Sequence, residues 1–341
     1  MTQVLSTAGH QSAGPIAVDS QYQNTGDDDG NSSYGAGSLN TSSASLNSSI
    51  FDFRKVHGRT FQNFKDAEYW QPNDSRQNDY LDITHHMMYL LNDNRLFHAP
   101  LDKTPHAVLD VGTGTGNWAI DFADQFPAAK VIGTDLSPTQ PAWVPPNCSF
   151  ELDDASLPWT FPDNHFDFIH VRYLLGSIAD WTALYKEAYR CLKPGGWFEH
   201  NEFSINCLTE DGPMPPVYRT WNSFFQEAGA KTGRTFQPEL GGRNLAWFRD
   251  AGFPAERTFR KDYKVPIGPW PADRRLKEVG LFNLASCEQG LEGFGLYLGT
   301  EVLSYTYDEM QVIFADMRKA LKNPKLHASY PFSSTWAQKP L

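Results

Sequence analysis

The fifteen residues VLDVGTGTGNWAIDF (108–122) constrain this chain more than any other stretch. An apolar run leads into glycines at every second position, and an amphipathic segment follows. Glycine lets the backbone turn sharply after a strand and lets a ligand approach the main chain closely. The stretch therefore predicts strand, cofactor-binding turn and helix, the opening unit of a nucleotide-binding α/β sheet.

The residues that follow extend the unit. KVIGTDL (130–136), CSFEL (148–152), FDFIHVRYL (166–174) and WFEHNEF (197–203) read as further strands. Helical segments separate two of the gaps: NWAIDFADQF stops at Pro127, and DWTALYKEAYRC places Trp181, Leu184, Ala188 and Cys191 on one face before Lys-Pro-Gly-Gly. Alternation at this spacing means a doubly wound parallel sheet. RTFRKDYKVPIG and HASYPFSSTWAQKP predict a closing antiparallel pair. Helical stretches at about 213–250 and 274–320 predict a lid over the sheet edge.

Before residue 105 the chain differs. Residues 1–50 are poor in apolar side chains, and NSSYGAGSLNTSSASLNSS holds eight serines, so a disordered tail is expected. Residues 51–104 read as a folded lead-in. Within it Leu81, His85, Met88 and Leu91 repeat at helical spacing behind Asp74 or Ser75 as N-cap. Residues 105–341 form the main domain.

The turn itself reads Asp110-x-Gly112-x-Gly114-x-Gly116. A dinucleotide turn is also satisfied by Gly114, Gly116 and Ala119, so spacing alone leaves two cofactor classes open. Charge separates them. A pyrophosphate site offers donors and no carboxylate, whereas Asp110 ends the strand beneath the turn and suits a cation such as the ammonium and sulfonium of S-adenosylmethionine. Asp135, 19 residues after Gly116, ends the second strand, where a carboxylate accepts from ribose hydroxyls. Asp154, after the third strand, is placed to accept from an adenine amino group.

As a set, acidic-x-Gly-x-Gly-x-Gly, the acidic second-strand tip, Asp-Ala, FDFIHVR and LKPGGW resemble class I S-adenosylmethionine-dependent methyltransferases. HGRTFQ, EYWQPND, GTDLSPTQP, GSIADW, LKPGGWFEHNE and KNPKLHASYPF are similar to the fungal LaeA-like group, from about residue 57 to the end. The resemblance implies a seven-stranded, Rossmann-like methyltransferase sheet and S-adenosylmethionine as cofactor. It implies that Asp110, Gly112, Gly114 and Gly116 carry the methionine end, Asp135 and Leu136 the ribose and adenine, and Asp154 with Ala155 the adenine edge. Val171 and Arg172 would flank the cofactor, and the His85 helix would cover it. That group contains enzymes that methylate small metabolites in secondary metabolism. It also contains regulators of secondary metabolism and development associated with velvet-type protein partners, for which methylation of protein, or of the chain itself, is the alternative.

If the acceptor needs deprotonation, His85 and His200 are the candidate bases, with Glu199 and Glu202 beside the latter. Strand alternation puts His200 and Glu202 on one face and Glu199 on the other. Trp221, Phe224, Phe225, Trp247, Trp270 and Phe282 are candidates for a flat apolar pocket or for core packing. A metal is not expected: His85 and His86 point to different sides of a helix, and Cys148, Cys191, Cys207 and Cys287 lack ligand spacing, reading instead as reduced thiols. A net charge of −11 argues against direct grip on nucleic acid. No apolar run is long enough to span a membrane and no secretory signal is legible, so cytosol or nucleus is expected.

Overall fold

The computed structural model describes residues 10–22, 52–63, 69–101 and 103–341. Its strands are β1 (His10–Gln11), β2 (Arg54–Val56), β3 (Arg59–Phe61), β4 (Ala107–Val111), β5 (Lys130–Asp135), β6 (Cys148–Leu152), β7 (Phe166–Arg172), β8 (Leu192–Phe203), β9 (Leu208–Thr209), β10 (Thr258–Pro266) and β11 (Ala328–Gln338). The α-helices are α1 (Ser75–Leu91), α2 (Asn117–Gln125), α3 (Trp181–Cys191), α4 (Pro216–Thr232), α5 (Arg243–Ala251), α6 (Arg274–Tyr297) and α7 (Tyr307–Leu321).

Seven strands run in the order β6-β5-β4-β7-β8-β11-β10, with β11 antiparallel to both of its neighbours. This is the expected doubly wound sheet with its terminal hairpin. Two short strands enlarge it to nine: β9 pairs with β11, and β1 adds in parallel to β10.

Strand alternation builds two cores. Val108, Val131, Phe168 and Trp197 face α2, where Trp118 and Phe122 are fully buried. Leu109, Val111, Ile169, Val171 and Phe198 face α3 and α5. A third core joins α1, α4, α6 and α7 above the sheet. α1 and α6 pack closely there: a Cβ on Gly290 would lie 2.6 Å from the Tyr80 ring.

Three expectations need correction. The tail is not wholly irregular: His10–Gln11 completes the β10 edge, Asp19 donates its amide to the Trp270 carbonyl, and the Asp19 carboxylate pairs with Lys277. An edge strand with unpaired amides supplies partners that composition does not reveal. The acidic cluster at 27–29 and the serine-rich run lie outside the described residues. Of the lid segment 213–250, only α4 joins the lid; α5 packs on α3, because Phe248 completes the sheet-face core. The α1 N-cap is Asp74. The side of α1 buried in the lid core carries Tyr80, Thr84, Met87, Met88 and Leu91, whereas Leu81 and His85 face α2 and its loop.

Candidate functional site

β4 lies between β7 and β5, so the chain leaves the sheet in opposite directions on either side of it. Ligands of open α/β sheets sit at the carboxyl ends of the strands at such a switch point. The loop after β4 is built there. Gly112, Gly114 and Gly116 have φ of 69°, 59° and 84°, a left-handed backbone that side chains oppose. A Cβ on Gly112 would lie 2.5 Å from Leu174, and one on Gly116 2.5 Å from the Phe150 ring. Gln140 and Thr139 donate to the Gly114 carbonyl at 2.6 and 3.0 Å, fixing the loop from outside.

Asp110 stands behind this loop. Its Oδ2 accepts from the Thr113 hydroxyl at 2.6 Å and its Oδ1 lies 2.7 Å from His170 Nδ1. His170 stacks on Trp118 with centroids 3.8 Å apart, and its Nε2 meets the Asn201 side-chain amide at 3.2 Å. Because the amide donates to Nε2, the imidazole proton sits on Nδ1 and is given to Asp110. Burial pushes His170 down to about 4, so the ring is neutral. Asp110 is thus held by protein on both oxygens, and it does not line the adjacent cleft.

That cleft encloses about 1090 Å³, open to solvent, and is lined by Gly112, Asp135, Leu136, Asp154, Ala155 and Leu174, among others. Asp135 accepts from the amides of Gly114 at 2.8 Å and Ser137 at 3.0 Å. Burial, reinforced by the nearby Asp110, pushes its carboxyl up to about 6. Asp154 accepts from the Ser156 amide at 2.8 Å. Asp153 joins these two acids on the cleft wall, and Arg234 is the one basic residue among the described lining. Three carboxylates repel a pyrophosphate and suit hydroxyls, an amine and a sulfonium, so the residues present fit S-adenosylmethionine.

Val171 and Arg172 do not line the cleft. Val171 is buried against the α3 face, and an Arg172 Nη lies 3.0 Å from His85 Nδ1. The chain reaches the cleft two residues later, at Leu174, and again at Ser177 and Ile178. Tyr69 and Arg234 also line it, brought from segments far away in sequence; nothing local in either segment signals this.

Both candidate bases are engaged by protein groups, and neither lines the cleft or the lid cavity. His85 bridges α1 and α2: Nδ1 accepts from Arg172, and Nε2 lies 2.9 Å from Asp121. Burial is the largest cause lowering its pKa. His200 is fully buried on the α3 side of the sheet, its Nδ1 2.6 Å from the Tyr185 hydroxyl, and burial pushes it down to about 3. Glu199, on the opposite face, accepts from the His98 and Ala99 amides at 2.8 Å each and is pushed up to about 7. Among the described residues no cluster of ligating side chains could hold a metal, and the four cysteines are free.

A second cavity of about 50 Å³, narrow and largely apolar, lies among the lid helices. Tyr80, Thr84, Tyr173, Phe203, Trp221 and Phe294 are among its walls. Of the candidate aromatics only Trp221 lines it. Phe224 and Phe225 pack in the lid core, Phe282 stacks edge-on against His86, Trp247 lies flat on Trp181, and Trp270 donates to the Ala328 carbonyl. Tyr173 faces this chamber and its neighbour Leu174 faces the cleft, so one turn walls both.

Comparison with known proteins agrees with this geometry. The profile of a family described as a methyltransferase domain matches residues 83–260. "Methyltransferase pytC" of Aspergillus terreus is 41% identical over 313 residues, covering 89% of this chain and 94% of that protein. "Secondary metabolism regulator LAE1" of Cochliobolus heterostrophus is 34% identical over 80% of this chain and 90% of its own length. "Protein-methionine methyltransferase laeA" of Emericella nidulans is 30% identical over 87% and 79%. The chain belongs to the S-adenosylmethionine-dependent methyltransferases, within the fungal LaeA-like group.

Proposed function

We propose that this chain methylates a small, flat and largely apolar metabolite of fungal secondary metabolism. The observation that carries the reading is the apolar, aromatic-lined chamber that shares the Tyr173–Leu174 turn with the cofactor cleft. Its apolar, aromatic lining with a few polar groups is of the kind that small ligands use, and its walls move apart to admit one.

In this reading Gly112, Gly114 and Gly116 cradle the methionine end of the cofactor, Asp135 and Leu136 hold ribose and adenine, and Asp154 with Ala155 the adenine edge. Asp110 acts through the loop it braces. When bound, S-adenosylmethionine supplies an electrophilic methyl group on a sulfonium. The chain's part is alignment and exclusion of water. Phe203, Phe294 and Trp221 keep the chamber dry, and the Thr84 and Ser286 hydroxyls, 2.6 Å apart, supply a buried polar point that orients an acceptor. His85 and His200 serve as packing and hydrogen-bonding groups. The place of action is the cytosol or nucleus; no described helix is long and apolar enough to cross a membrane.

The test is transfer of labelled methyl from S-adenosylmethionine into an organic extract of fungal culture. Label in a small extractable product supports the reading, and label confined to protein overturns it. A second reading, regulation through a velvet-type protein partner, is favoured by Trp143. This side chain is 93% exposed on the proline-rich loop between β5 and β6, and exposed tryptophan is common at protein interfaces. Capture of a velvet-type protein by the wild type and not by Trp143→Ser would support it.

A further inference from the structure

Glu202 touches neither cavity, yet it is fully buried beneath the turn that walls both. Its Oε2 accepts from the Leu174 amide at 2.8 Å and its Oε1 from the Phe203 amide at 3.1 Å. The Leu175 amide also favours its charged form. Leu174 packs against Gly112 in the cofactor loop, and Tyr173 packs on Phe203 in the chamber with centroids 4.7 Å apart. Between them the backbone is strained, for Tyr173 has φ 58° without being glycine. Such a conformation persists only where its surroundings hold it.

Behind Glu202 stands a second buried pair. His200 Nε2 lies 3.5 Å from Glu202 Oε2 and has no hydrogen-bond partner. His200 Nδ1 is 2.6 Å from the Tyr185 hydroxyl. Both orientations of that bond are open to a neutral imidazole: either Nε2 carries the proton toward Glu202, or Nε2 stands ready to accept one from it. Tyr185, His200 and Glu202 thus form one buried chain ending on the shared wall.

We propose that Glu202 and His200 are positioning residues: with Tyr185 they hold the Tyr173–Leu175 turn, and so set how the cofactor cleft and the acceptor chamber face each other. The acceptor side of this statement rests on the methyl-acceptor reading of the chamber; the cofactor side does not. The proton on the chain tunes the hold, because an anion draws in backbone amides more strongly than a neutral acid. Burial raises Glu202 to about 8. The charged or titratable groups facing this chain are Tyr69, Tyr80 on α1, His170 on β7, Tyr173, Glu239 and, on β10, Arg260.

The experiment is calorimetric binding of S-adenosylhomocysteine to full-length wild type, Glu202→Gln and Tyr185→Phe between pH 6.5 and 9. Near pH 6.5 the wild type and Glu202→Gln bind alike. At pH 9 the wild type binds about tenfold more tightly, as expected for one charge-assisted hydrogen bond lost. Tyr185→Phe, which keeps the aromatic packing, moves the midpoint of the wild-type pH profile. A ratio between wild type and Glu202→Gln that does not change with pH overturns the proposal. If Glu202→Gln does not fold, an unmoved midpoint in Tyr185→Phe overturns it. No acceptor is needed for these readings, so failure to find a methylated metabolite leaves them intact. Where an acceptor is found, Glu202→Gln lowers kcat at saturating cofactor and leaves the acceptor KM in place.

Discussion

His170 and Asp110 form a hydrogen bond of 2.7 Å with both side chains almost wholly inside the protein. The acidic residue that opens the glycine motif is therefore braced by the next strand of the sheet rather than presented to the cleft. His170→Phe would keep the stack on Trp118 and leave Asp110 with Thr113 alone. We expect it to destabilise the fold by about 1–3 kcal/mol, the cost of an unpaired buried acceptor. Urea denaturation measures this. S-adenosylmethionine affinity should fall in parallel, because the loop rests on Asp110, and an unchanged melt would remove this bond from the account.

Gly116→Ala introduces a Cβ where φ is 84° and the Phe150 ring stands 2.5 Å away. Strain at a left-handed position costs on the order of 1–3 kcal/mol, and the contact with Phe150 adds to it. Thermal melting should register the loss. Gly233→Ala, at φ 67° with nothing within 4 Å, isolates the backbone part; the variant at 116 should melt lower.

Asp135 carries two predictions of opposite sign. Its folded-state value of about 6 lies above the ordinary 3.8, so protonation favours the fold. That contribution is present below pH 3.8 and is lost as pH rises through about 6. Denaturation across pH 4–7 should show a slope that Asp135→Asn lacks. Cofactor affinity runs the other way, since the ionised carboxylate is the better acceptor for hydroxyls: it should fall below pH 6 in the wild type and stay flat in Asp135→Asn. Equal profiles for the two proteins would take Asp135 out of the binding site.

Cys287→Phe fills the acceptor chamber, whose wall Cys287 helps to form, without touching the cleft. S-adenosylhomocysteine binding should be unchanged, and methyl transfer to an extractable acceptor should drop by tenfold or more. Transfer at wild-type rate would place the acceptor elsewhere.

Removal of residues 1–22 strips β1 from the β10 edge and the Asp19 carboxylate from Lys277 on α6. Cofactor binding should survive, because that edge is remote from the cleft in strand order. An uncovered edge strand invites pairing between chains. Light scattering should therefore show more self-association than in the full chain.

The sheet was legible because its strands and helices alternate with distinct periods, and each buries its own apolar face. That Gly112, Asp135, Leu136, Asp154 and Ala155 come together on one cleft wall was legible for a local reason: each sits at or just after a strand end in register with the first glycine turn. Val171 and Arg172 were placed two residues short, since the strand keeps Val171 in the core and only the turn after Tyr173 brings the chain to the cleft. His200 and Glu202 could be assigned to one strand face, but not to the interior behind the site, because burial depends on α3 and α5 packing over them. Tyr69 and Arg234 could not be foreseen, for their position is set by tertiary packing alone. The two-residue β1 carries no period at all.

The walls of the chamber come mainly from α1, which precedes the first sheet strand of the main domain, and from α4, α6 and α7, which lie between later strands. The cleft comes mainly from the loops after β4, β5, β6 and β7, with Tyr69 and Arg234 added from before α1 and after α4. Donor grip and acceptor choice are thus written in separate stretches of the gene. Relatives can diverge in what they modify while keeping the same way of holding the donor, with the turn at Tyr173 and the buried residues that hold it as places where a change would be felt by both.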